Sequence, residues 1–230
     1  MKIEITHEIL NNFDMSKYEA IFSKDNYPGD QYPFWDMDRY HKYYKILAHL
    51  STFYNNEILV DIGTRRGHSA ASLAYNENNT IYSYNDRKDE DPENSVFEKI
   101  TNIKAFILSD YRNAGPLGNI LGNDKHKDIL LQSSLIFMDV DPHDGYKESA
   151  LFNFLVENNY KGLTLWDDIS VQLNKWFREV GDSGHTWQDI VSLNIDKFDL
   201  NNYSWAPGTG VICFGEQEII TDGPRRFTIK

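Results

Sequence analysis

Two segments, LIFMDVDPHDGY (135–146) and GLTLWDDI (162–169), end apolar runs on carboxylates: Asp139 and Asp141 after the first, Asp167 and Asp168 after the second. If the two runs are neighbouring parallel strands, their ends lie about 4.8 Å apart. They also share the carboxyl edge of the sheet, where α/β proteins bind ligands. Three carboxylates gathered there, Asp139, Asp167 and Asp168, would repel one another unless a cation held them. A hard divalent ion with oxygen ligands, Mg²⁺ being the commonest, resolves that repulsion. Asp139 is then both a ligand and a catalytic candidate, and Asp141 or His143 can accept a proton from a reacting group. The residues leave the choice of base open. Paired Asp after a strand also caps helices, so DDIS before VQLNKWF is compatible with a cap at Asp168.

A second constellation begins at ILVDIGTRRGHSAASLA, where an apolar run passes through Gly63 and Gly67 into a helical pattern. Glycine at a strand end lets the backbone turn tightly and approach a ligand, and the helix start supplies N–H groups. The dinucleotide fingerprint fails, because Arg65 and His68 stand where its second and third glycines belong, which argues against NAD. At the end of the next apolar run, Asp86 can accept two hydrogen bonds from a ribose diol. Asn85 beside it can do the same, since strand ends are uncertain by a residue or two. Asp110, in ILSDYRN, ends a third run.

These residues need a sheet to position them. From residue 57 onward, short apolar runs alternate with helical segments, the pattern of βαβ units. Strands are predicted at 57–62, 80–85, 103–108, 134–139 and 162–167, and helices near 67–77, 145–158 and 171–180. Two further runs, 194–203 and 209–215, are joined so briefly across WAPG that they must be antiparallel neighbours. The fold expected is therefore a Rossmann-like, doubly wound, mainly parallel α/β sheet ending in an antiparallel hairpin. Residues 1–56 read as an N-terminal helical segment and cap, with a short helix and a second near 37–54; residues 57–230 form the main domain. Tyr27, Tyr32, Phe34, Trp35 and Tyr40 fit packing of this segment onto the domain better than a lid over a ligand.

The spacing Asp61-Ile62-Gly63-Thr64-Arg65-Arg66-Gly67 resembles the first motif of class I S-adenosylmethionine-dependent methyltransferases, and the hairpin-closed sheet resembles theirs. The resemblance implies that Gly63, Thr64 and Gly67 line the methionine portion of the cofactor, that Ser69 caps the helix and reaches its carboxylate, and that Asp61 binds its ammonium. It puts Asp110 near the adenine amino group. Asp139, Asp167 and Asp168 further resemble the pattern of divalent-metal-dependent small-molecule O-methyltransferases, both catechol-type and the sugar-modifying group, which also carries the equivalent of Asp141. The scaffold resemblance spans roughly residues 57–215. Pro142-His143-Asp144-Gly145 departs from the family pattern and puts the base in doubt. The reaction implied is metal-assisted methylation of a hydroxyl on a small acceptor such as a sugar. The rivals are a metal-independent N- or protein methyltransferase and a cofactor-binding module without catalysis.

A formal net charge of -12 repels phosphate backbones, so nucleic acid is not expected as a partner. The one cysteine, Cys213, cannot form an internal disulfide, and MKIEITHEILNNF has neither region of a signal peptide. No apolar run is long enough to span a membrane. A cytoplasmic protein is expected, and a homo-oligomer is compatible with the sequence. His185 in GDSGHTW is a weaker site candidate, and Arg225 and Arg226 read as solvated.

Overall fold

The computed structural model describes residues 1–18, 21, 43–63, 67–85, 99–108, 115–140, 146–169, 195–201, 203 and 208–223. Its centre is a seven-stranded sheet built from β2 (Ile58–Ile62), β3 (Thr80–Asn85), β4 (Ile103–Ile107), β5 (Leu135–Met138), β6 (Leu163–Asp167), β7 (Asp196–Asp199) and β8 (Thr209–Cys213). Their spatial order is β4-β3-β2-β5-β6-β8-β7. Pairing is parallel from β4 across to β6, and β8 runs antiparallel to both β6 and β7. The order reverses between β2 and β5, which makes a topological switch point at their carboxyl ends. LIFM of β5 is buried throughout, as expected of a parallel strand covered on both faces.

Each face of the sheet has its own apolar layer. On one, Leu59, Ile81, Leu135, Phe137, Leu163, Leu165 and Val211 meet α2 (Tyr43–Ser51) through Ile46 and Leu47, and α3 (His68–Leu73) through Ala70 and Ala71. On the other, Val60, Ile62, Ile136, Met138 and Trp166 meet α4 (Gly115–Leu121), α5 (Asp124–Gln132) and α6 (Tyr146–Glu157). The small side chains of HSAASL let α3 lie close to the sheet. Asn123 caps α5, its side chain accepting from the Lys125 N–H at 3.0 Å.

The described part of the N-terminal segment belongs to the first of these layers. β1 (Lys2–Ile5) pairs in parallel with β9 (Glu218–Thr221), and Ile3, Ile5, Leu10 of α1 (His7–Asn12), Met15 and Tyr18 are all buried in it. The His49 ring on α2 is 2.7 Å from the Glu4 carbonyl through Nε2, which ties the ribbon to the helix. Tyr203 donates to Asp222, and the His7 N–H reaches the same carboxylate at 3.1 Å. Residues 171–180, the aromatics from Tyr27 to Tyr40, His185, Arg225 and Arg226 lie outside the described residues. Among the described residues no helix is long and apolar enough to cross a membrane.

Candidate functional site

Strand register assembles the site. Asp61 pairs with Ser83 on β3 and Phe137 on β5, Phe137 with Leu165 on β6, and Asp167 with Thr209 on β8. Continuing each parallel pairing by two residues carries Gly63, Asn85, Asp139 and Asp167 into one line, with Thr209 at its end. The row Asn85, Gly63, Asp139, Asp167, Thr209 thus crosses five strands at the carboxyl edge, over the switch point. Side chains alternate along strands, so its members share the face that carries Leu59, Ile81, Phe137, Leu165 and Val211. Two backbone bonds hold the line at its centre: Gly63 N–H to the Tyr84 carbonyl at 2.8 Å, and Asp139 N–H to the Ile62 carbonyl at 2.9 Å.

Gly63 is glycine for a reason internal to the fold. Its φ is +103°, and a Cβ there would lie 1.5 Å from the Asp139 carbonyl oxygen. The first-strand turn is therefore pressed against the end of β5, which brings the glycine turn and Asp139 side by side. Gly67, at φ 79°, is the N-cap of α3, without a side-chain capping bond. The expectation that Ser69 caps this helix is corrected here: it is the second residue inside α3 and is buried, because the left-handed turn at Gly67 has already started the helix. Asp61 lies two residues deeper than the row on the same face, fully buried, and its Oδ2 accepts from Ser83 Oγ at 3.0 Å. Asn85 is the last residue of β3 and is buried, its carbonyl accepting from the Leu108 N–H at 2.8 Å.

At the other end, Asp139 and Asp167 close adjacent parallel strands and are half-buried. Asp168 follows directly but leaves the row, since its φ of 58° puts it in the left-handed region that ends the strand. Among the described residues no group of three His, Cys, Asp or Glu side chains is drawn together to hold a metal ion. Thr64, Asp86, Asp110, Asp141 and His143 lie outside the described residues. The residue that sequence reasoning missed is Thr209. It is fully buried opposite Asp167, and the only signal for it was the antiparallel register of a hairpin whose pairing with β6 the sequence does not specify.

No protein-family model matches the chain, and no curated protein matches its sequence. Solved structures match its fold. The O-methyltransferase from Bacillus cereus, solved in complex with SAH, has a TM-score of 0.56 at 13% identity, over 89% of this chain and 94% of its own. The O-methyltransferase TomG from Streptomyces achromogenes, involved in tomaymycin synthesis and solved with SAM, has a TM-score of 0.53 at 11% identity, over 87% of this chain and 95% of its own. At these identities the likeness is one of fold, and this chain has the Rossmann-like fold of the class I methyltransferases.

Proposed function

We propose that the chain is an S-adenosylmethionine-dependent methyltransferase acting on an oxygen of a small hydroxylated acceptor, such as a sugar. The observation that carries this reading is the row across the switch point. An amide suited to ribose hydroxyls stands at one end, a glycine turn beside it, and two carboxylates beyond, where an acceptor hydroxyl can be held. Asp61 beneath the turn is a buried carboxylate, a group whose chemistry suits a cationic ammonium, so the residues present fit the cofactor. Ser69, Gly67 and the adjoining Thr64 belong to the same subsite in this proposal, with Asp86 and Asp110 toward the nucleoside.

The cofactor supplies, when bound, an electrophilic methyl on a sulfonium. The work of the chain is to hold the acceptor oxygen in line with that methyl at near-attack distance. Strand ends about 4.8 Å apart are suited to such positioning. Asp139 can accept the hydroxyl proton, with Asp141 and His143 as the other candidates in the segment that follows. In its finer form the proposal includes a divalent cation at Asp139, Asp167 and Asp168. Their oxygens suit a hard ion, but the described side chains are not gathered around a common point, so no step is routed through it. A bound ion would lower the pKa of the acceptor hydroxyl.

The test is calorimetric titration with S-adenosylhomocysteine, followed by incubation with methyl-labelled cofactor and a panel of nucleotide sugars and polyols, read by mass spectrometry. Saturable binding and a labelled acceptor are expected. Absence of binding at millimolar S-adenosylhomocysteine would overturn the reading.

A further inference from the structure

Thr209 Oγ1 is buried and has no hydrogen-bond partner among the described residues. The residue around it is held with care. The Thr209 N–H donates to Asn201 Oδ1 at 3.0 Å, and its carbonyl accepts from the Leu200 N–H at 2.8 Å. Asn201 is itself held by Asp199, through its N–H at 2.8 Å and its side-chain amide at 3.2 Å. Gly208 before it adopts φ +103° and packs so closely on the Asn201 amide that a Cβ would lie 1.9 Å from Oδ1. The backbone is thus fully satisfied while the hydroxyl is not. Valine has the same shape, is an equally good strand former and carries no polar atom to desolvate, so the hydroxyl is a cost to the resting fold.

The nearest partner by register is Asp167, directly opposite on an antiparallel pair and on the same face, where opposed Cβ atoms lie about 4.5–5.5 Å apart. A threonine χ1 rotation moves the hydroxyl between staggered positions on that face. We infer that Thr209 is a positioning residue for Asp167: in the loaded site its hydroxyl donates to the Asp167 carboxylate and fixes the direction in which that carboxylate meets the acceptor. This rests on the reading of the row as a methyl-transfer site.

The test uses Thr209→Val, Thr209→Ala and Thr209→Ser in the full chain, in chelated buffer at fixed pH. The Asp167 Cγ resonance, assigned by its loss in Asp167→Asn, is recorded by carbon NMR with and without excess S-adenosylhomocysteine. Removing the hydroxyl is expected to displace that resonance, and serine to return it to the wild-type position. If the resonance stays in place in valine and alanine variants, with and without S-adenosylhomocysteine, while the melting temperature rises, Thr209 is only an unsatisfied core residue and the inference fails. Calorimetry on the same samples separates the two ideas: wild-type protein that does not bind S-adenosylhomocysteine overturns the functional reading, whatever the Asp167 resonance does.

Discussion

Alanine at position 63 probes the contact on which the whole site depends. A φ of +103° costs an L-residue roughly 1–3 kcal/mol. The added Cβ would meet the Asp139 carbonyl oxygen at 1.5 Å and its carbon at 2.5 Å, where nonbonded carbon contacts sit at about 3.5–4.0 Å. No rotamer relieves this, because both partners are backbone and are held by the Gly63 to Tyr84 and Asp139 to Ile62 bonds. The ends of β2 and β5 must separate, at an overpacking cost of about 1–3 kcal/mol, with about 0.5–1.5 kcal/mol more if one of those bonds breaks. The total, about 2–7.5 kcal/mol, is a large part of the ~5–15 kcal/mol that holds a domain together. For a chain of this size it corresponds to a melting-temperature drop of about 4–30 °C. Urea and thermal unfolding followed by circular dichroism would measure it without any ligand. A Gly63→Ala protein within about 1 kcal/mol of wild type would mean that the turn is not pressed against β5 and that Gly63 and Asp139 do not stand side by side. Loss of cofactor binding in a Gly63 variant is consequently uninformative about ligand contact.

Asp61→Asn keeps the size and the Ser83 bond, so folding is expected to survive while S-adenosylhomocysteine affinity falls about 10- to 100-fold, the size of one lost charge-assisted bond; an unchanged dissociation constant would remove Asp61 from the site. Asp139→Asn and Asp167→Asn are expected to abolish methyl transfer with little change in cofactor affinity. If the metal form holds, exhaustive chelation stops turnover and Mg²⁺ or Mn²⁺ restores it, whereas full activity after chelation would reject the metal form and leave a metal-independent transferase. His49 and His126 are both held below the usual histidine range, by burial first, with Lys125 adding to the effect at His126. The unfolded chain therefore binds protons near pH 6.5 that the folded chain refuses, so stability present above that pH is lost as pH falls through the two depressed values. Unfolding free energies measured from pH 7.5 downward should show this slope, and His49→Gln with His126→Gln should flatten it.

The parallel strands were legible because both faces are covered: each reads as a short apolar run, and β2 to β6 lie within a residue or two of expectation. The hairpin was legible from its short connection. The β1–β9 ribbon was not, since each strand has four residues and finds its partner at the far end of the chain. α4 was hidden by Gly115, Pro116 and Gly118, poor helix formers that tertiary packing of Leu117 and Ile120 overrides. In the site itself, sequence gives the order of carboxylates along the chain but not which of them share a line across the sheet. Asp167 and Asp168 are adjacent in sequence and look interchangeable, yet only Asp167 stays in the row with Asp139. Thr209 is 42 positions from Asp167 and has an ordinary strand residue's identity, yet register sets it directly opposite. Proximity along the chain suggests a cluster of three acids, whereas the strand pairing sets two of them in a line of alternating chemistry: amide, glycine, two carboxylates and a hydroxyl. A line of that kind would suit the donor and acceptor of the proposed methyl transfer, laid end to end with different groups along their length, better than a compact acidic cluster would.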